Sequence, residues 1–97
     1  MKATVVIDNL VPISDNRAFV AEHGYSLLLE KGGEKILLDT GRSSAVLHNL
    51  GLLGVCADDL DAVVISHGHY DHAGGLAIIL EQRTNNLPIY AHSAIFA

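Results

Sequence analysis

The chain has few of the features that mark secreted, membrane-spanning or disulfide-stabilised proteins. Cys56 is the single cysteine among 97 residues, so no disulfide can form within the chain, and this usage is typical of a reducing cytoplasm. The longest unbroken aliphatic run, Leu76 to Leu80, is far shorter than the roughly 18 residues that a membrane-spanning helix needs. Residues 1–15 contain no pattern of a signal peptide. The sequence therefore predicts a cytoplasmic protein without a membrane segment.

Basic residues are also scarce. Six Lys and Arg against eleven Asp and Glu give a formal net charge of -5, and their scatter leaves no basic patch for nucleic acid. Apolar residues, in contrast, are abundant: 49% of the chain is hydrophobic and the mean hydropathy is +0.32. This share is sufficient for a folded core. Because no repeat or Pro/Ser-rich linker interrupts the sequence, residues 1–97 are expected to form a single domain unit.

Apolar runs separated by turn residues predict a mixed α/β fold. The β-branched run Thr4–Ile7 predicts a first strand, which ends at the turn-forming pair Asp8-Asn9. Two further runs, Tyr25–Glu30 and Lys35–Leu38, flank the pair Gly32-Gly33. They predict a β-hairpin, because glycine supplies the positive φ angles that a tight turn demands.

Helices and strands alternate after the hairpin. Ser43 or Ser44 can cap a first helix. Gly51 or Gly54 can end it. Its predicted apolar face carries Val46, Leu47, Leu50 and Leu53. The later predicted elements are a strand over Ala62–Ile65, a helix over Gly74–Arg83 with Leu76, Ile79 and Leu80 on one face, and a strand over Pro88–Ala91. Cys56 has no basic neighbour that could activate its thiol and is expected to be a small buried hydrophobe.

The most informative segment follows the predicted strand that ends at residue 65. Four side chains that can bind a metal ion occur within six positions: His67, His69, Asp71 and His72. His67 and His69 are two residues apart, so in an extended segment both imidazoles project to one side and can bind one ion. Asp71 and His72 follow where the chain turns into a helix, which suits a second ion or a mononuclear site with Asp71 as base. The pair Gly74-Gly75 allows the backbone to turn sharply and to approach the ions closely.

Other polar residues are weaker candidates for the same site. His92 follows a predicted strand and is expected at the same sheet edge as His67, since α/β sheets place their sites at the carboxyl ends of strands. His23 lies beside a glycine in a predicted loop, and the pair Asp8-Asn9 ends the first predicted strand. Turn chemistry alone also explains these three positions. His48 falls in mid-helix away from the apolar face and is expected to be exposed.

Two of these segments resemble motifs of one family. The sequence His-Gly-His-Tyr-Asp-His at residues 67–72 resembles the signature of the metallo-β-lactamase superfamily. Residues 37–41, Leu-Leu-Asp-Thr-Gly, are similar to its first motif, a strand that ends in Asp-Thr-Gly. Residues 21–28 resemble, more narrowly, a branch of metal-dependent hydrolases that includes dihydropterin-ribofuranosyl-aminobenzene-phosphate synthases. The resemblance implies the N-terminal half of an αββα sandwich, a mixed sheet with helices on one face, over residues 1–97 and without the C-terminal half.

The resemblance also implies the roles of individual residues. His67 and His69 would bind a first metal ion, and Asp71 and His72 a second. Asp39 would orient the ligand segment by hydrogen bonding. The implied cofactor is one or two Zn²⁺ ions, with iron or manganese as alternatives. The implied reaction is hydrolysis of a small-molecule substrate, in which a hydroxide activated by the ions attacks a carbonyl or phosphoryl centre and Asp71 is the catalytic residue of this chain.

The same resemblance predicts a partner. The later ligand motifs of the superfamily, a further His, a bridging Asp and a last His, have no counterpart after His92. In the superfamily the second face of each sheet packs on the other half, so here that face would expose apolar side chains. We therefore expect self-association or a complementary C-terminal half, and we expect hydrolysis to require it. The alternative function is a catalytically silent metal-binding or interaction module.

Overall fold

A single mixed sheet forms the centre of the molecule. The computed structural model describes residues 1–8, 24–66 and 73–91. Within these ranges the strands are β1 (Lys2–Ile7), β2 (Ser26–Lys31), β3 (Glu34–Leu38), β4 (Ala62–Ile65) and β5 (Ile89–Ala91), in that order across the sheet. The helices are α1 (Ala45–Leu52) and α2 (Leu76–Gln82), with a 3₁₀ helix at Ala57–Asp59. The predicted mixed α/β fold is confirmed.

The hairpin between β2 and β3 has the turn that its glycines predict. Gly32 and Gly33 have φ angles of 59° and 84°, and Lys31 pairs with Glu34 across the turn. Two successive positive φ angles match the right-handed twist of antiparallel strands. The bounds predicted for these two strands are within one residue of the observed ones.

The directions of the strands determine which residues share an edge of the sheet. β1 and β2 are antiparallel, as are β2 and β3, whereas β3, β4 and β5 are parallel to one another. Four strands, β1, β3, β4 and β5, therefore end at the same edge, which we call the carboxyl edge. Asp8, Asp39 and Ser66 are the first residues after β1, β3 and β4 at this edge.

The core lies between the helices and one face of the sheet. Leu28, Leu37 and Val63 occupy one register row across three strands, and each is at most 1% exposed. Val46 and Leu50 of α1 and Ile79 of α2 are fully buried, and they belong to the same apolar cluster. Both helices thus pack on a single face, as the family resemblance implies.

Leu80 departs from the predicted face of α2. Its side chain is 42% exposed, whereas Ile79 is fully buried and Leu76 is half-buried against the core. Leu80 lies about 100° around the helix axis from Ile79. That rotation places it on the flank of the short helix, so the prediction that Leu80 packs inward is wrong.

α1 contains a buried polar residue that joins it to the sheet. Asn49 is 1% exposed, and its side-chain Nδ2 donates to the Val6 carbonyl at 2.8 Å. The carbonyl belongs to a strand irregularity between Val5 and Ile7, where the β1–β2 register shifts. α1 ends before Gly54, whose φ of 78° stops the helix, so of the two predicted terminators Gly54 is the one used.

The opposite face of the sheet carries an apolar row that runs across every strand. It consists of Val5, Leu27, Leu38, Val64 and Tyr90, which are successive partners in the sheet register. Val5 is 54% and Tyr90 is 62% exposed, while the three central side chains are half-buried. The adjacent row, Ala3, Leu29, Ile36 and Ala62, is also apolar. We refer to these nine residues as the apolar sheet face.

The segment between α1 and β4 corrects the prediction for Cys56. This residue is exposed, whereas its neighbours Val55 and Ala57 are buried. Its backbone N–H donates to Asp59 Oδ2 at 2.8 Å at the start of the 3₁₀ helix. Because the two neighbours point into the core, the residue between them faces solvent. None of the described helices has the length and apolar content that a membrane span would need.

Arg83 secures the sheet edge opposite to the carboxyl edge. Its guanidinium donates to the carbonyls of Ala57 at 2.8 Å, Leu60 at 2.7 Å and Asn86 at 2.7 Å. It thereby joins the end of α2 to the 3₁₀ helix and to the segment before β5. Arginine suits this position because its planar group presents several donors at fixed angles.

Candidate metal centre

Asp39 joins β3 to the residue that precedes the predicted ligand segment. Its carboxylate is buried and accepts two hydrogen bonds from Ser66, from the backbone N–H to Oδ1 at 2.7 Å and from the hydroxyl to Oδ2 at 2.6 Å. Both carboxylate oxygens therefore act as acceptors toward one residue. Since His67 follows Ser66 directly, Asp39 determines where the chain enters the ligand segment.

The backbone of Asp39 is held as firmly as its side chain. Its φ angle is 59°, in the left-handed region that side-chain-bearing residues seldom adopt, although Asp and Asn tolerate it better than others. The backbone N–H donates to the Val64 carbonyl at 2.8 Å, and the carbonyl accepts from the Ser26 hydroxyl at 2.7 Å. Contacts to β2 and β4 thus compensate for the unfavourable backbone conformation.

The next two residues contact the chain on the far side of the ligand segment. The Gly75 N–H is shared between the Thr40 hydroxyl and the Gly41 carbonyl, each at 3.1 Å. Gly41 has a φ of 67°, and its own N–H donates to the Tyr25 carbonyl at 2.9 Å. Residues 39–41, which we call the DTG turn, therefore bind both Ser66 and Gly75.

Gly75 approaches the DTG turn so closely that no side chain fits. A Cβ placed on it would overlap the Thr40 carbonyl oxygen and would lie 3.0 Å from both the Ser43 carbonyl oxygen and Val46 Cγ1. The sequence predicted a close backbone approach at Gly74-Gly75 but directed it toward the metal ions. The observed approach is toward the DTG turn, and no local pattern could have indicated it because Thr40 and Gly75 are 35 positions apart.

The predicted ligands lie outside the residues that the structure describes. His67, His69, Asp71 and His72 fall between the described Ser66 and Ala73, and these four assignments stay predictions. Across 1–8, 24–66 and 73–91 no three His, Cys, Asp or Glu side chains cluster as a metal site.

The two lower-ranked histidines, His23 and His92, are likewise outside the described ranges. The residue before His92, Ala91, pairs with Ile65 in the sheet, so β4 and β5 both end at the carboxyl edge. His48 is exposed on α1, as predicted.

The donor set of the ligand segment is suited to the metals that the resemblance implies. Three imidazoles and one carboxylate are ligands that zinc, iron and manganese accept. They follow a strand whose end is fixed by a buried carboxylate, and a metal site requires such support for its ligands. The residue types present in the ligand segment therefore fit a bound metal ion.

Comparison with known protein families identifies the family of this chain. The sequence model of the metallo-beta-lactamase superfamily matches residues 20–96, a range that includes both the DTG turn and the ligand segment. The chain belongs to the metallo-beta-lactamase superfamily. The membership predicted from residues 37–41 and 67–72 is confirmed.

Individual relatives support the superfamily assignment and the narrower branch. An uncharacterized protein of Methanocaldococcus jannaschii is 38% identical over 94% of this chain and 36% of its own length. The 7,8-dihydropterin-6-methyl-4-(beta-D-ribofuranosyl)-aminobenzene-5'-phosphate synthase of the same organism is 36% identical over 84% of this chain and 29% of its own length. The second of these carries the name of the branch that residues 21–28 suggested.

Solved superfamily structures match the observed sheet and helices. The crystal structure of a metal-dependent hydrolase of the beta-lactamase superfamily has a TM-score of 0.72 and 34% identity, over 96% of this chain and 30% of that chain. The metallo-beta-lactamase fold protein YhfI from Bacillus subtilis has a TM-score of 0.68 and 34% identity, over 95% of this chain and 36% of that chain. The chain thus spans about a third of the length of its superfamily relatives.

Proposed function

We propose that this chain supplies the metal-binding part of a metal-dependent hydrolase, with His67, His69, Asp71 and His72 as ligands. The observation that carries the proposal is the DTG turn, which binds the residues on either side of the ligand segment. Such support on both sides has a clear purpose if the intervening donors must hold a metal ion in a fixed geometry. A bound zinc ion would lower the pKa of a coordinated water toward neutrality and stabilise negative charge on the substrate.

The residues of this chain would contribute positioning and proton transfer. Asp39 holds the start of the ligand segment through Ser66, so that His67 and His69 follow from a fixed point. In a site with one ion, Asp71 would accept the proton of the attacking water. The substrate would be a small molecule with a carbonyl or phosphoryl centre, and the relative whose name specifies a ribofuranosyl-aminobenzene 5'-phosphate favours a phosphorylated compound.

A chelator-competition titration of zinc tests the ligand assignment. The double variant His67→Ala/His69→Ala should lose zinc binding, because it removes two of the four proposed donors. His48→Ala is the matched control: it removes an exposed histidine of α1 and should bind zinc as the unsubstituted chain does. Undiminished affinity in the double variant, or no zinc binding by the unsubstituted chain, would contradict the proposal. Zinc binding without hydrolysis once the site is complete would favour the silent metal-binding module.

We further propose that the apolar sheet face is covered by polypeptide corresponding to the two thirds of the relatives that this chain does not span. The exposed Val5 and Tyr90 lie at opposite ends of a row that is apolar across five strands. An apolar surface of this extent usually marks an interface. The relatives carry a further segment of about twice this length beside the part that matches. That segment is therefore the occupant we favour over a second copy of the chain.

Native mass spectrometry of the chain mixed with the remaining segment of the Bacillus subtilis relative tests this proposal. A one-to-one complex that disappears in Val64→Lys, one of the three inner residues of the apolar row, is the expected result. Leu80→Lys is the control, because it charges an exposed apolar residue on the helix side of the molecule. A homodimer that Val64→Lys dissociates would identify a second copy as the occupant instead. If the chain is a monomer both alone and in the mixture with the segment, the proposal is refuted.

A further inference from the structure

We infer that Thr40 and Gly75 are positioning residues that determine the metal affinity of the ligand segment. Their contact holds the chain that follows this segment against the DTG turn. The inference rests on the proposed function, since it concerns the same metal site. Asp39 supports the chain before the ligand segment, and Thr40 and Gly75 would support the chain after it. Neither residue carries a metal-binding group in this role; each acts through the path of the backbone.

Gly75 is hydrogen-bonded to two groups of the DTG turn. Its N–H is directed at the Thr40 hydroxyl and the Gly41 carbonyl together, at 3.1 Å each. Thr40 is fully buried, and its hydroxyl also lies 3.3 Å from the Gly41 carbonyl, to which it donates. A buried hydroxyl that both accepts and donates in this way has a fixed orientation. The contact between the two segments is therefore specific in direction as well as close.

Gly75 is also connected to the core. Its carbonyl accepts from the Ile79 N–H at 3.1 Å in the first turn of α2. Ile79 is fully buried in the main apolar cluster. Gly75 thus stands between the DTG turn on one side and a helix anchored in the core on the other. A displacement of this residue would be transmitted to the chain that precedes it, which contains the proposed ligands.

Gly75 has no space for a side chain. A Cβ there would meet backbone oxygens of Thr40 and Ser43, which cannot rotate away as the end of a side chain could. An added methyl group must therefore separate residue 75 from the DTG turn. Metal sites tolerate errors of only about 0.2 Å in ligand distance, and loss of supporting contacts typically weakens metal binding by about 10- to 100-fold.

The experiment compares two pairs of variants in the 97-residue chain. Thr40→Val removes the hydroxyl and keeps the shape, whereas Thr40→Ser keeps the hydroxyl and should restore binding. Gly75→Ala adds the excluded methyl group, whereas Gly51→Ala adds one in α1, where nothing lies within 4 Å. Zinc dissociation constants are measured by chelator competition. The visible absorption spectrum of bound Co²⁺ reports the ligand geometry at a temperature where circular dichroism shows a folded chain.

We expect Thr40→Val and Gly75→Ala to raise the zinc dissociation constant by about 10-fold or more and to change the Co²⁺ spectrum. Thr40→Ser and Gly51→Ala should behave as the unsubstituted chain does. Arg83→Met controls for stability, because it removes hydrogen bonds at the opposite edge of the sheet. If Arg83→Met lowers the stability as much as Thr40→Val and Gly75→Ala do and weakens zinc binding as much, the inference is overturned.

The outcomes also separate this inference from the proposed function. If the unsubstituted chain binds zinc through His67 and His69 but Thr40→Val and Gly75→Ala bind it equally well, only the positioning role is refuted. If the unsubstituted chain binds no zinc, both the metal site and its positioning residues are refuted.

Discussion

The pair formed by Asp39 and Ser66 allows a quantitative test of how the candidate site is supported. Asp39→Ala would remove two hydrogen bonds, of 2.7 and 2.6 Å. Hydrogen bonds to a charged group contribute about 1.5–3 kcal/mol each, and the exposure of Ser66 favours the lower end, so we expect a loss of about 3 kcal/mol. That is a large part of the roughly 5–15 kcal/mol by which a domain is stable.

A double-mutant cycle isolates the interaction from other effects of substitution. Asp39→Asn tolerates the same left-handed backbone conformation and keeps one acceptor oxygen, while Ser66→Ala removes only the hydroxyl. The free energy of unfolding is measured by urea denaturation, followed by circular dichroism, for both single variants, the double variant and the unsubstituted chain. We expect a coupling energy of about 1–2 kcal/mol, which is within the range of directly contacting residues.

The result that would refute this reasoning is additivity. Independent sites add to within about 0.3–0.5 kcal/mol, so a coupling energy inside that interval would mean that the hydroxyl of Ser66 and the carboxylate of Asp39 do not stabilise each other. A coupling energy that vanishes in high salt would indicate a solvent-screened contact instead of the part-buried one observed.

Three further substitutions test other features of the fold by denaturation. Asn49→Ala should lower the free energy of unfolding by about 1–3 kcal/mol, because it leaves the buried Val6 carbonyl without its amide donor; Asn49→Gln, which keeps an amide, serves as the comparison. Gly54→Ala should cost about 1–2 kcal/mol, because the φ of 78° is unfavourable for a residue with a Cβ, and a neutral result would contradict the helix end. Hydrogen bonds from the Thr84 backbone and hydroxyl lower the pKa of Asp58 from its usual 3.8, so its contribution to stability is present above that pH and is lost as the pH falls through the lowered value. Asp58→Asn should therefore flatten the loss of stability in acid, and identical acid profiles for the two proteins would refute this.

Local sequence patterns predicted the elements of the fold but not the contacts between them. The Gly-Gly turn and the β-branched runs indicated the hairpin and β4, because turn geometry and strand preference depend on neighbouring residues. Leu80 and Cys56 were misplaced, because the exposure of each depends on what packs against a short helix or turn. The order of the strands is a property of the whole sheet, and no local pattern indicated it.

In the candidate site, too, the contacts between distant residues were not predicted from local sequence. The predicted role of Asp39 rests on the resemblance, and the structure adds its hydrogen-bond partner, Ser66, 27 positions away. The contact of Thr40 with Gly75 was not anticipated at all, since a glycine required by a neighbour 35 positions away has the same local appearance as a glycine of a flexible loop. Distant contacts of this kind require coordinates.

The carboxyl edge and the apolar sheet face are separate surfaces, and this separation makes the two proposals independently testable. The DTG turn and Ser66 lie where strands end, and Gly75 contacts the DTG turn, whereas the row from Val5 to Tyr90 crosses the middle of the sheet. Val64 connects the two surfaces, because its carbonyl accepts from the Asp39 N–H while its side chain lies in the apolar row. A covering segment would therefore press on the strand residue that helps to hold Asp39. If both proposals are correct, binding of that segment should tighten zinc binding, and by reciprocity zinc should tighten binding of the segment by the same factor.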